Sequence, residues 1–98
     1  VELPGRGDDG RYGFPTVAGE PVAFLALNRN KRGITLDIRT PKGMDLLKKL
    51  VTRVDVVVEN FAAGTMARWG LGYDVLRQIN PRLIYAALSG FGQTGPYA

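Results

Sequence analysis

Val54-Asp55-Val56-Val57-Val58-Glu59-Asn60-Phe61 is the stretch that decides the fold. Val54 to Val58 reads as a near-continuous apolar strand, the pattern expected when helices cover both faces of a parallel sheet. The run stops at a polar and an aromatic residue, then Ala62-Ala63-Gly64-Thr65 leads into Met66-Ala67-Arg68-Trp69, which looks like the first turn of a helix. In a parallel sheet the carboxyl end of a strand and the start of the next helix form the crevice where ligands bind. A ligand site is therefore expected after Glu59.

Upstream, Met44, Leu47 and Val51, with Leu46 and Leu50 beside them, form an apolar stripe at helical spacing, while Lys42, Asp45, Lys48 and Lys49 lie away from it. Thr40 supplies an N-cap and Pro41 the first helical residue, where its missing N–H costs nothing. Before them, Gly33-Ile34-Thr35-Leu36-Asp37-Ile38 alternates apolar and polar residues and predicts a strand. Val22 to Leu27 fits either a short helix or a strand, and a helical turn is the preferred reading. Pro4 to Pro21 is rich in glycine and proline and reads as irregular surface, with Val1-Glu2-Leu3 as the end of a strand.

Downstream, a short helix is expected from Thr65 to about Trp69, broken by Gly70-Leu71-Gly72. A second runs from Tyr73 to Ile79, with Asp74 a plausible cap and Asn80-Pro81 as the stop. Leu83 to Ser89 is the last strand. The order strand, helix, strand, helices, strand points to an α/β fold with a parallel sheet. Residues 1–98 then make one partial domain, with 1–21 irregular and 22–98 built of strand–helix repeats. The opening Val1-Glu2-Leu3-Pro4, with no initiator methionine, and the close on a glycine-rich loop suggest a piece of a longer chain.

Composition narrows the chemistry. With neither cysteine nor histidine, the chain offers no disulfide, thiolate nucleophile, usual zinc ligand set or imidazole base. The net charge of +4 is concentrated in Arg29-Asn30-Lys31-Arg32. That cluster suits either a phosphate or plain solvation, and no nucleic-acid-binding motif accompanies it. No apolar run approaches the roughly 18 residues of a membrane span.

Several motifs have two readings. Gly90-Phe91-Gly92-Gln93-Thr94-Gly95 matches a dinucleotide pattern, but that site needs a helix opening at the third glycine and a later acidic residue. The Asn60 amide can donate to and accept from a ligand and Phe61 can stack on a purine, or Asn60 caps a turn and Phe61 packs inward. Thr65 and the amides after Gly64 suit an anion or an ordinary cap. Arg68, one turn beyond Gly64, suits a phosphate or solvent. The aspartates show no paired spacing that would mark an acid and a base.

Taken together, Asn28-Arg29-Asn30-Lys31-Arg32-Gly33-Ile34-Thr35-Leu36-Asp37, Asp55 to Phe61 with Gly64-Thr65, Leu71-Gly72-Tyr73, Asn80 to Tyr85, and Ser89 to Tyr97 resemble the family III CoA-transferases. This is the group of formyl-CoA transferase, carnitine CoA-transferase and α-methylacyl-CoA racemase. The resemblance implies a Rossmann-like large domain, flanked by helices, of a cytoplasmic enzyme whose two subunits interlock as a homodimer. It implies coenzyme A or acyl-CoA as substrate and a carboxylic acid as acceptor, while the residue types, motifs and apolar run lengths lead to the expectation of no metal, nucleic acid or membrane partner. The positions matching the family's CoA contacts are Leu36, Arg39, Asn60, Phe61 and Arg68. Arg39 stands where some members carry Lys, and Leu3 where some place an Arg. In the transferases a carboxylate attacks the thioester, giving an acyl-enzyme anhydride and then an enzyme-bound CoA thioester. That aspartate is expected beyond Ala98, so residues 1–98 hold no catalytic residue and are expected to be inactive alone. A racemase of the same fold and a non-catalytic interaction module are the alternatives.

Overall fold

The computed structural model describes residues 1–98, which divide into two units, Val1–Asp37 and Ile38–Ala98. In the first, Asp8 caps a 3-10 turn over Asp9–Tyr12, its side chain accepting from the Gly10 N–H at 2.7 Å. Two short strands, β1 (Thr16–Val17) and β2 (Glu20–Pro21), pair antiparallel across Ala18-Gly19. Both turn residues have positive φ, as a two-residue hairpin with the right twist requires. The segment expected to be irregular therefore contains a hairpin, which feeds directly into α1 (Val22–Leu27).

The strand expected over Gly33–Ile38 shrinks to a single parallel bridge between Thr35 and Glu2. The Glu2 N–H donates to Ile34 O and the Leu36 N–H to Glu2 O, both at 2.8 Å. Alternation raised the expectation of a strand, but a ladder also needs a partner strand, and here it extends over one residue. Glu2 also organises the unit through its side chain. Its carboxylate accepts from Arg11 Nε at 2.7 Å, Arg11 Nη2 at 2.8 Å and the Asp8 N–H at 2.9 Å. The same guanidinium lies 4.2 Å from the Phe24 ring centre, so one arginine joins the bridge to α1.

The second unit opens with the expected helix, α2 (Pro41–Val51). The Thr40 hydroxyl accepts from the Gly43 N–H at 3.1 Å, and Pro41 occupies the first helical position. Val51 is buried and Met44 and Leu47 half-buried, whereas Leu46 and Leu50 remain exposed at the edge of the stripe. β3 (Val56–Glu59) pairs in parallel with β4 (Ile84–Ala87), Val57 opposite Tyr85 and Glu59 opposite Ala87. Between them run α3 (Thr65–Arg68) and α4 (Tyr73–Ile79), as the break at Gly70-Leu71-Gly72 and the stop at Asn80-Pro81 predicted.

Local chemistry closes α3. Gly70 has φ +68, a conformation that strains any residue bearing a Cβ, and its N–H donates to Ala67 O at 2.9 Å. The next N–H, of Leu71, donates to Met66 O at 2.8 Å, completing a Schellman pair. The turn thereby places Leu71 over Met66 in the core. Val51, Met66, Leu71, Leu76 and Leu83 are buried there, with Val57, Trp69 and Tyr85 packed around them. Fully burying Leu71 and Leu76 contributes about 1.5–3 kcal/mol each.

Within residues 1–98 the helices pack on one face of the strands, and Val56, Val58 and Ile84 on the other face are 47%, 63% and 62% exposed. The cap of α4 is Gly72 rather than Asp74, which instead sits in the first turn 3.6 Å from Arg77 Nε. Asn80 does more than stop α4. Its amide donates to Val51 O at 3.0 Å and Val54 O at 2.9 Å, satisfying carbonyls where α2 gives way to β3.

Candidate functional site

At the carboxyl end of β3 the backbone leaves the sheet after one last ladder bond, from the Leu88 N–H to Glu59 O at 2.8 Å. Asn60 is exposed, and Phe61 is 40% exposed with its ring edge-on to Trp69, centres 5.2 Å apart. The chain then turns at Gly64, which has φ +74 and is the cap of α3 in place of Thr65. A Cβ at residue 64 would lie 3.3 Å from Arg68 Nη1, so glycine serves both the turn and the side chain folded over it.

Arg68 bends back onto this loop. Its Nη2 donates to Thr65 Oγ1 at 2.8 Å and its Nη1 reaches Ala63 O at 3.5 Å. The side chain stays exposed, and the rest of the fork's donors are unspent by the protein. The Thr65 N–H donates to Ala62 O, and its hydroxyl oxygen accepts from Arg68 while keeping its own O–H as a donor.

Behind the loop, on the helix-covered side of the strands, lies a cavity of about 240 Å³ lined by Glu59, Met66, Ala67, Tyr73, Tyr85 and Gln93 among others. Glu59 bounds it with both oxygens engaged: Oε2 accepts from the Phe61 N–H at 2.8 Å and Oε1 lies 3.3 Å from the Tyr85 hydroxyl. The Tyr85 ring leans on Tyr73 at 6.0 Å. Partial burial, followed by the charge of Glu59 and its hydrogen bond, pushes the Tyr85 hydroxyl up to about 12.

Of the residues singled out in the sequence, Phe61 and Arg68 meet at this loop, Phe61 through Trp69 and Arg68 through Ala63 and Thr65, with Asn60 adjacent in the chain. Arg39 is exposed at the start of the second unit. Leu36 belongs to the first unit, half-buried, with its N–H spent on Glu2. Glu59, Tyr73 and Tyr85 join this site without a sequence signal of their own: Glu59 ends the apolar strand, and only the strand register brings Tyr85 beside it.

The basic loop lies in the first unit, where Lys31 and Arg32 border a second cavity of about 370 Å³ with Glu2, Arg11, Phe24 and Asn28. Lys31 Nζ reaches Asn28 Oδ1 at 3.4 Å. The glycine-rich segment after β4 is exposed, and no helix opens at Gly95 before Ala98. No cluster of carboxylates that could hold a metal is present, and no helix is long and apolar enough to cross a membrane.

The sequence profile of CoA-transferase family III matches residues 1–98. The chain belongs to this family. It is 49% identical over 98 residues to the succinyl-CoA–L-malate CoA-transferase beta subunit of Chloroflexus aurantiacus, covering 99% of this chain and 24% of that protein. It is 45% identical over 97 residues to the succinyl-CoA:glutarate CoA-transferase of Homo sapiens, covering 98% of this chain and 22% of that protein. The crystal structure of a CaiB/BaiF family protein from Brucella suis superposes with a TM-score of 0.86 at 48% identity, over 98% of this chain and 26% of that one. The chain thus spans about a quarter of the length of the curated relatives it matches. The parallel pair with its flanking helices is the family's α/β fold, as the motifs implied.

Proposed function

We propose that residues 1–98 contribute CoA-binding surface to an enzyme that moves CoA between an acyl-CoA and a carboxylic acid. The observation that carries the reading is the loop after β3, where exposed Asn60, Phe61 and Arg68 gather at a parallel strand's carboxyl end in a chain matched throughout by a CoA-transferase family. In this reading Phe61 offers an apolar ring to the nucleotide or pantetheine, Asn60 an amide, and Arg68 a guanidinium to phosphate. Arg39 in the same unit, and separately Leu36 in the first unit, are the remaining positions proposed as CoA contacts. The names of the relatives, which pair succinyl-CoA with malate or glutarate, support a dicarboxylic acid as acceptor.

The chemistry proposed is covalent. A carboxylate outside residues 1–98 attacks the thioester carbonyl and expels CoA as thiolate, giving a mixed anhydride. The thiolate then attacks the anhydride at the enzyme's carbonyl, releasing the first acid and leaving CoA on the enzyme. The acceptor acid repeats the exchange in reverse. The working form would be an interlocked homodimer in the cytoplasm, and the 98 residues alone would show no turnover.

Arg68→Ala in the full-length protein that carries this sequence tests the site. Loss of charge-assisted bonds to phosphate should weaken CoA about tenfold or more, measured by calorimetry, with the fold intact by circular dichroism. Unchanged affinity in both Arg68→Ala and Asn60→Ala refutes the reading.

A further inference from the structure

The Phe61 N–H lies beyond the last ladder bond of β3 and has no backbone partner in the sheet. Such an amide at a strand end usually turns to solvent, and a strand-terminal carboxylate does the same. Here the two find each other: Glu59 is half-buried, its side chain borders the cavity, and Oε2 takes the Phe61 N–H at 2.8 Å. The other oxygen lies 3.3 Å from the Tyr85 hydroxyl, and Tyr85 is steadied by Tyr73 and by the core. A carboxylate held at both ends fixes the two peptide units that follow it. Phe61 is then pinned twice, by its backbone through Glu59 and by its ring through Trp69, while the Asn60 side chain stays exposed between those anchors.

We propose that Glu59 is a positioning residue for CoA, holding Asn60 and Phe61 in their ligand-ready geometry through the Phe61 N–H and drawing its own rigidity from Tyr85. The inference rests on the reading of Asn60 and Phe61 as CoA contacts. Because Tyr85 keeps its proton through the neutral range, it remains a donor to Glu59 under working conditions. The loop is ordered before CoA arrives, and the ordering entropy is not charged against binding.

The test compares Glu59→Ala and Glu59→Gln in the full-length protein, reading affinity for free CoA by calorimetry, and KM and kcat with an acyl-CoA. Glutamine keeps an acceptor for the Phe61 N–H and a polar group for Tyr85, so it should stay within about twofold of the parent. Alanine should weaken CoA and raise KM about tenfold, with kcat within about twofold. Tyr85→Phe, which keeps the ring in the core, should give an intermediate loss of about threefold and serves if the alanine variant fails to fold. Asn60→Ala separates the two ideas. If it weakens CoA while Glu59→Ala or Tyr85→Phe does not, the positioning role is overturned and the CoA site stands. If glutamine loses affinity as fully as alanine, charge and not hydrogen-bond geometry is at work, and the proposal fails. A loss of kcat in Glu59→Gln with KM unchanged also overturns it, by making the carboxylate a chemical participant.

Discussion

Replacing Asn80 by alanine removes the amide that donates to Val51 O at 3.0 Å and Val54 O at 2.9 Å. Each such bond is worth about 0.5–1.5 kcal/mol net, so losing both costs roughly 1–3 kcal/mol. A third bond, from the exposed Arg82 N–H to Asn80 Oδ1, adds little because water replaces it. Against a total of about 5–15 kcal/mol for a typical domain, this is a substantial fraction. Trp69 is the single tryptophan among the 98 residues and packs against the core, so its fluorescence in urea reports the second unit when this polypeptide is studied alone. With a urea dependence near 1 kcal/mol per molar, the midpoint should fall by about 1–3 M. Asn80→Asp sharpens the test, because an ionised carboxylate cannot donate and would face two carbonyl oxygens. Its folded-state pKa is therefore raised, so its stability relative to the alanine variant is greatest at acid pH and is lost as pH rises through that raised value. A midpoint shift below about 0.3 M for Asn80→Ala at unchanged slope would refute the reasoning.

Other outcomes follow from close approaches and charge. A Cβ at Gly72 would lie 3.2 Å from Ala67 Cα, so Gly72→Ala must push α4 from α3 and should lower stability by about 1–3 kcal/mol in the same urea titration. Gly70→Ala should cost about 1–2 kcal/mol through its positive φ alone, as open space surrounds the site. Hydrogen bonds from Arg11, then from the Asp8 N–H, hold the Glu2 carboxyl at about 2 instead of the ordinary 4.5. The depressed value means this contribution to the first unit is present above pH 4.5 and is lost as pH falls towards 2. Carboxyl carbon NMR should place the Glu2 midpoint near 2, and Arg11→Gln should return it towards 4.5.

The features legible in the sequence are those fixed by neighbours in the chain. Thr40-Pro41 caps α2 because the hydroxyl and the amide it accepts from are three residues apart. Gly70 closes α3 because its conformation, unlike that of its neighbours, is free to be left-handed. The apolar runs of β3 and β4 were also plain, since a short apolar run bounded by turn residues marks a strand whatever it pairs with. The strand over Gly33–Ile38 was misjudged for the opposite reason: its pattern is local but its partner, Glu2, is not. Gly64 and Gly72, and not Thr65 and Asp74, hold the caps of α3 and α4, because cap-compatible residues one or two positions apart offer the chain a choice only packing resolves.

By itself the sequence determined the α/β order, the family resemblance and the loop after Glu59, all carried by local spacing and by ordered motifs. Tertiary structure decided what that loop does with its side chains. It folded Arg68 onto Thr65, set Phe61 against Trp69, and put Glu59 between the Phe61 amide and Tyr85. It also left Val56, Val58 and Ile84 bare, since strand burial depends on what lies across the sheet and not on the strand alone. Those contacts join residues up to 26 positions apart, a separation over which spacing carries no information and the parallel register carries all of it.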